Sequence, residues 1–220
     1  MTGPPPYALS PSTVVDALHA ELRDRMMRGE LEPGETVTEA RFVADYGVAR
    51  ATARGALERL LSEGLLERTQ RRTLQVRRFS LEDLEDIWCV REGLESSAVR
   101  RLVREGIVPA AALQAQAELV ALVTAGAGSE VRRRADVAFH RALVAGAGSA
   151  RLDRMYGSVL VEVRLASRLL VAACPAQVRQ AVAEHQAVLE AIGGRDEEGA
   201  VRSLVEHLSG SRRRITGRVA

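Results

Sequence analysis

The sequence predicts a chain that is all-α with a small β wing, divided into two domains near residues 78–81. Three observations carry this. Of the 220 residues 46% are hydrophobic but only 3% aromatic, so the core must be built from Leu, Val and Ala, a composition that suits helices better than sheets. Apolar residues recur at helical spacing along most of the chain, whereas residues 65–77 form short β-like runs. Beyond residue 80, Gly- and Pro-containing breaks divide long helical stretches at short connections.

The elements follow in order. "MTGPPPYALSPS" has neither a basic start nor an apolar core, so residues 1–11 read as a disordered tail and not as a signal peptide. "STVVDALHAELRDRMMRGEL" is a helix with a Ser/Thr start, a stripe of Val14, Val15, Leu18, Leu22 and Met26, and a stop at Gly29. "EPGE" is a turn and "TEARFVADYG" a short helix ended by Gly47. "ARATARGALERLLSEG" is a third helix, with Ala53, Ala56, Leu57, Leu60 and Leu61 as its buried stripe. Leu65–Arg68 and Leu74–Arg77 then flank the polar tip "TQRRT" as a hairpin. Three helices and a hairpin, with only "GVA" between the second and third helices, is the order of a winged helix-turn-helix. It is assigned to residues 12–78.

After Ser80 helices are expected over 81–105, 110–125, 130–145, 150–172, 176–192 and 196–215. "GIVP", "AGAGS", a second "AGAGS", Cys174-Pro175 and "GGRD" separate them. Long helices with short connections make an antiparallel six-helix bundle, assigned to residues 79–220.

Charge is unevenly spread. Residues 1–49 carry four Arg against eight acids, while residues 50–78 carry eight Arg against three Glu. Such a concentration suits a phosphate-facing patch, although a solvated surface has the same composition. The most apolar stretch, "VLVEVRLASRLLVAA", is broken by Glu162, Arg164 and Arg168, so no membrane span is expected and the protein reads as cytoplasmic. Cys89 and Cys174 have no metal-type spacing and are expected to be buried small hydrophobes.

Of four histidines, His19 falls in the first domain and His140, His185 and His207 in the bundle. Asp136 and His140, four apart, share one helix face. His185 and His207 lie at similar distances on either side of "GGRD", so an antiparallel hairpin brings them to similar heights. One Asp and three His can therefore converge, a donor set that suits a divalent ion, Zn foremost, with Ni, Mn or Fe as alternatives. Each histidine alone could equally be a satisfied core residue. Three His and a water is also a hydrolase arrangement, and a metal-dependent enzyme with a vestigial winged domain is the alternative function. Against it, no HExxH, G-x-S-x-G or Gly-rich phosphate loop is present. Glu184 sits roughly 100° around the helix from His185 and reads as a poor base.

The run "RGELEPGETVTEARFVADYGVARATARGALERLLSEGLLE" resembles the DNA-binding domain of the GntR family of bacterial transcriptional regulators. Asp-x-x-Phe-His at 136–140, Glu184-His185 and His207 resemble the FCD-type effector domain of its FadR subfamily, and six bundle helices place it near the VanR-like branch. The resemblance spans roughly residues 12–215. It implies a homodimeric, ligand-responsive regulator, expected to be a repressor, that leaves a palindromic DNA operator when a small carboxylate effector binds at the metal. Arg50 and Arg54 match the two recognition-helix arginines and Thr52 lies on the same turn. Arg41, Arg71 and Arg72 would touch phosphates or the minor groove. Asp136, His140, His185 and His207 match the family's metal set. Arg91 matches an arginine that pairs with the effector, its alternative being an ion pair with Glu95, while Trp88 beside it reads as packing. The chain departs from the family at Ala49, which lacks a capping hydroxyl, at Gly55, where glutamate is usual, and at Thr73, where glycine is usual.

Overall fold

The computed structural model describes residues 14–70, 72–167 and 175–216. The expected tail at 1–11, Arg71, Cys174 and the end of the helix expected over 150–172 lie outside the described residues. The chain forms two compact units, Met1–Arg78 and Phe79–Ala220.

In the first unit, α1 (Val14–Arg28) buries Leu18, Leu22, Met26 and Met27, whereas Val14, at the start of the expected stripe, is exposed. β1 (Thr36–Val37) leads into α2 (Glu39–Tyr46). The Thr38 hydroxyl caps α2 by accepting from the Arg41 amide, and Gly47 ends it at φ 64°, a left-handed turn that costs glycine little. α3 (Arg50–Ser62) starts at Ala49, which makes no side-chain cap, and buries Ala53, Ala56, Leu57 and Leu60. Leu61, expected in that stripe, is half-buried. α1 packs on α3 and α2 on α3 around the fully buried Phe42.

Gly55 has a packing reason. A β-carbon there would meet Val15 Cγ1 at 3.3 Å, so the missing side chain lets α1 approach α3. β2 (Leu66–Arg68) and β3 (Leu74–Val76) form the expected hairpin, with Leu66 opposite Val76. The wing is nevertheless a three-stranded antiparallel sheet in the order β1-β3-β2, because Thr36 and Val37 pair with Gln75 and Leu74. Two residues are too few to show alternation, so this strand carries no sequence signal. At the wing tip the left-handed residue is Arg72, at φ 60°, and not Thr73.

In the second unit the described residues form six helices. They are α4 (Leu81–Glu105), α5 (Ala110–Thr124), α6 (Ser129–Gly146), α7 (Ala150–Ala166), α8 (Pro175–Gly193) and α9 (Glu197–Thr216). α4 opens with a reciprocal capping box between Ser80 and Asp83 and ends at Gly106. It is the central helix, packed on α6, α7, α8 and α9, while α5 pairs with α6 and α8 pairs with α9. No single described helix is long and apolar enough to cross a membrane. Trp88 is buried as expected of a packing residue, but Cys89 is exposed. One position along α4 turns a side chain by roughly 100°, enough to carry Cys89 off the buried face.

Candidate metal centre and nucleic-acid interface

α6 carries Asp136 and His140 one turn apart, α8 carries His185 and α9 carries His207. Their donor atoms lie within 4.8 Å of one another. His207 Nε2 is 3.1 Å from His140 Nε2 and 3.2 Å from His185 Nε2, and Asp136 Oδ1 is 3.5 Å from His185 Nε2. Two ligands about 2.0–2.1 Å from one ion, at octahedral or tetrahedral angles, stand about 2.8–3.4 Å apart. The nitrogen spacings fall within that range.

The second ring nitrogens explain why the first ones meet. His140 Nδ1 is 2.7 Å from Glu95 Oε2 and His207 Nδ1 is 2.9 Å from Glu184 Oε2. His185 Nδ1 is 3.3 Å from Gln116 Oε1, and the Gln116 amide is oriented by donating from Nε2 to the Val182 carbonyl at 2.8 Å. Each Nδ1 therefore faces an acceptor and must carry the proton, which leaves every Nε2 with a lone pair. Three lone pairs aimed at one point have no donor among themselves. A cation satisfies all three.

Burial holds His140 and His185 neutral. It pulls His140 below its ordinary pKa even though Glu95 favours the charged form, and it pulls His185 well below, helped by the neighbouring imidazoles. Neutral imidazole is the form that ligates a metal. Phe139 stacks on His185, ring centroids 3.9 Å apart, and meets His140 edge-on. The phenylalanine next to the α6 ligand thus fixes the ring plane of the α8 ligand.

Glu95 is the hub behind His140. It is fully buried and accepts from Arg91 Nε at 2.5 Å and from the Tyr156 hydroxyl at 2.8 Å. Burial alone would raise its pKa, but the Arg91 charge and the hydrogen bonds from His140 and Arg91 outweigh that and keep it ionised. Arg91, proposed from sequence for effector binding, is itself buried and in this ion pair. Burial pushes the Tyr156 phenol up, so it stays a donor. Sequence reasoning missed Glu95, Gln116 and Glu184 as partners of the histidines. From the sequence Glu95 reads only as an alternative partner of Arg91. His19 stands apart in the first unit, with Nε2 2.8 Å from Glu63 Oε1 but out of line for a hydrogen bond.

The first unit presents Arg50 and Arg54 on the exposed face of α3, their side chains 76% and 56% accessible. Both bond to Glu39 at the start of α2. Arg50 uses Nε alone, at 2.8 Å, whereas Arg54 uses Nε at 2.8 Å and Nη2 at 3.3 Å. The two arginines hold the Glu39 carboxyl down to about 2. Arg50 bonds Glu39 through Nε alone, which leaves its two terminal nitrogens available for a guanine O6/N7 edge. Thr52 is half-buried on the same turn. Arg41 donates to Glu35 at 2.6 Å and lies over the Phe42 ring. Arg72 is exposed at the wing tip, and Arg71 lies outside the described residues.

Comparison with known proteins follows the same division. Residues 14–76 match the model of bacterial regulatory proteins of the gntR family, and residues 86–210, more than half the chain, match that of the FCD domain. A probable D-xylose utilization operon transcriptional repressor of Paenarthrobacter nicotinovorans is 26% identical over 201 residues, covering 91% of this chain and 88% of that one. The uncharacterized HTH-type transcriptional regulator BphR of Paraburkholderia xenovorans (strain LB400) is 26% identical over 206 residues, 90% of this chain and 84% of its own. Among solved structures, a putative transcriptional regulator GntR from Rhodococcus sp. RHA1 superposes with a TM-score of 0.77 at 23% identity, covering 94% of this chain and 99% of that one. E. coli McbR/YncC gives 0.72 at 21% identity, covering 90% and 94%. At these identities the superpositions speak for the fold.

Proposed function

The chain belongs to the gntR family of bacterial regulatory proteins and carries an FCD domain, and from that premise we propose a homodimeric, ligand-responsive repressor acting in the cytoplasm. Residues 12–78 form its DNA-binding domain and residues 79–220 its effector and dimerisation domain. Asp136, His140, His185 and His207 hold a divalent ion, Zn foremost, and a small carboxylate effector binds beside it. The observation that supports the metal reading most directly is the convergence of three Nε2 lone pairs, each Nδ1 being committed to an acceptor. When bound, the ion supplies a Lewis-acidic position for a carboxylate oxygen.

The chain's own residues do the rest. Arg50 reads a guanine through its two terminal nitrogens, while Arg54, with two nitrogens on Glu39, holds that carboxylate in place and contacts the same half-site. Thr52, Arg41, Arg71 and Arg72 contact the backbone or flanking groove. One recognition helix reads half a site, so two copies read a palindrome. In the bundle, α4 supplies no metal ligand yet grips His140 through Glu95. A shift of His140 on effector ligation therefore reaches α4 through a buried, charge-assisted bond. Release from DNA requires the effector to prefer one arrangement of these helices over the other.

Native mass spectrometry of protein purified without chelators, followed by operator titration with and without zinc and candidate acids, tests this. A dimer with one ion per chain, whose operator affinity falls when an acid is added, is the expected result. A dimer that takes up no ion from zinc or nickel solutions would remove the metal site. Metal binding without any effect of small acids on DNA affinity would leave a structural ion and no effector function.

A further inference from the structure

Asp136 differs from its three partners. The histidine side chains are 0–2% accessible, but that of Asp136 is 32% accessible. It lines a cleft of about 110 Å³ together with Arg132, Arg133, Gln177, Ser211 and Arg214. Of the four donors only Asp136 lines the cleft, so an anion held there would reach the metal position from the Asp136 side. We infer that Arg214 is the anion-binding residue of the effector site, and that the effector is a short dicarboxylate spanning the metal position and this guanidinium. The inference rests on the metal reading above.

The other basic groups of the cleft are engaged. Arg132 donates from Nη1 to the Ala127 carbonyl at 2.5 Å, and Arg133 pairs with Glu130. Arg214 makes no hydrogen bond or ion pair among the described residues. It folds back along α9 over Gly210, where a β-carbon would stand 3.3 Å from Arg214 Nη1, so the glycine makes room for the guanidinium. Its charge is felt at the site, where it favours the ionised Glu184 and opposes protonation of His185. Arg91 does not line the cleft, and its Nε is already bonded to Glu95.

Charge and size then select the ligand class. Asp136 and Glu184 are set against a divalent ion, Arg132 and Arg214, and Glu130 against Arg133, which leaves an excess of about two positive charges at the cleft. A dianion matches that excess. The volume lies well below the roughly 300 Å³ at which drug-sized sites begin, which suits an acid of a few carbons. One carboxylate meets the ion and the other takes the planar fork of Arg214.

The test is calorimetric titration of the zinc-loaded full-length protein with malonate and with acetate, alongside Arg214→Gln and Arg214→Lys, each checked for zinc content. The wild type is expected to bind malonate at least about tenfold more tightly than acetate. Arg214→Gln should lose about tenfold or more in malonate affinity with its zinc retained, and Arg214→Lys should recover part of it. Unchanged malonate affinity in Arg214→Gln, or a wild type that prefers acetate, overturns the inference. A protein that takes up no zinc yet binds malonate through Arg214 keeps the anion site and sinks the metal reading. Loss of both sinks both.

Discussion

Removing the Glu184 side chain should weaken the metal site without unfolding the bundle. Glu184 Oε2 is 2.9 Å from His207 Nδ1, and Gln180 donates a second hydrogen bond to Glu184 Oε1. Burial would raise its pKa, but the bond to His207 outweighs this and keeps the carboxylate ionised. In Glu184→Ala the imidazole loses the acceptor that selects one of two ring flips and one of two tautomers. That loss of order alone costs about RT ln 4, roughly 0.8 kcal/mol. The lost basicity of a ligand backed by a carboxylate adds to it, giving the range of about 10–100-fold usual for such partners, or about 1.4–2.8 kcal/mol. Glu184→Gln keeps an acceptor and should lie between the two. Glu95 would be a poor choice for the same experiment. Its removal strands Arg91 as a buried charge at a cost of about 3–5 kcal/mol, which confounds metal loss with unfolding. Competition for zinc against a chromophoric chelator, with circular dichroism as the folding control, measures the effect. Folded Glu184→Ala with wild-type zinc affinity would refute the reasoning, because His207 would then need no orienting partner.

Arg50→Ala should cost roughly 1–3 kcal/mol on the operator and relax preference at one base position. An equal loss on operator and random DNA, measured by fluorescence anisotropy, would count against base reading. Glu39→Ala should act in opposite directions on the two DNAs. Losing the carboxylate that aligns Arg50 and Arg54 weakens operator binding, while losing a negative charge from that face strengthens binding to random DNA. Since Glu39 is depressed to about 2, its alignment is present above the ordinary 4.5 and lost only as pH falls toward 2. Across pH 5–8 the difference between wild type and variant should therefore stay constant. The metal-free protein should lose thermal stability on acidification below 6.5, the ordinary histidine value. His140 and His185 are held below it in the fold, so the unfolded chain binds more protons there, and each contributes up to about 1.4 kcal/mol per pH unit. A melting temperature flat from pH 7 to 5 would contradict their burial as neutral rings.

The helices were legible because their signals are local. Thr38 and Gly47 bracket α2, and Gly-containing turns separate the long helices of the bundle. Two features depended on partners distant in sequence. β1 exists because Val76 and its neighbours offer an open edge to two residues near Gly34. Gly55 reads as a defect in α3 until Val15 of α1 is placed against it.

The same division runs through the site. The spacing of Asp136 and His140, and the near-symmetry of His185 and His207 about one turn, are properties of single helices and one hairpin. What orients those ligands is not. A helical wheel places Glu184 roughly 100° from His185 and so dismisses it. That judgement concerns His185, whereas the carboxylate serves His207, which arrives from the neighbouring helix with Nδ1 2.9 Å away. Glu95 likewise reads from sequence as the partner of Arg91, one turn earlier, and that pair is present. The same carboxylate also reaches His140, 45 residues on. An ion pair read along one helix can thus be the outer support of a site built from others, because a buried carboxylate has more acceptor capacity than one arginine uses.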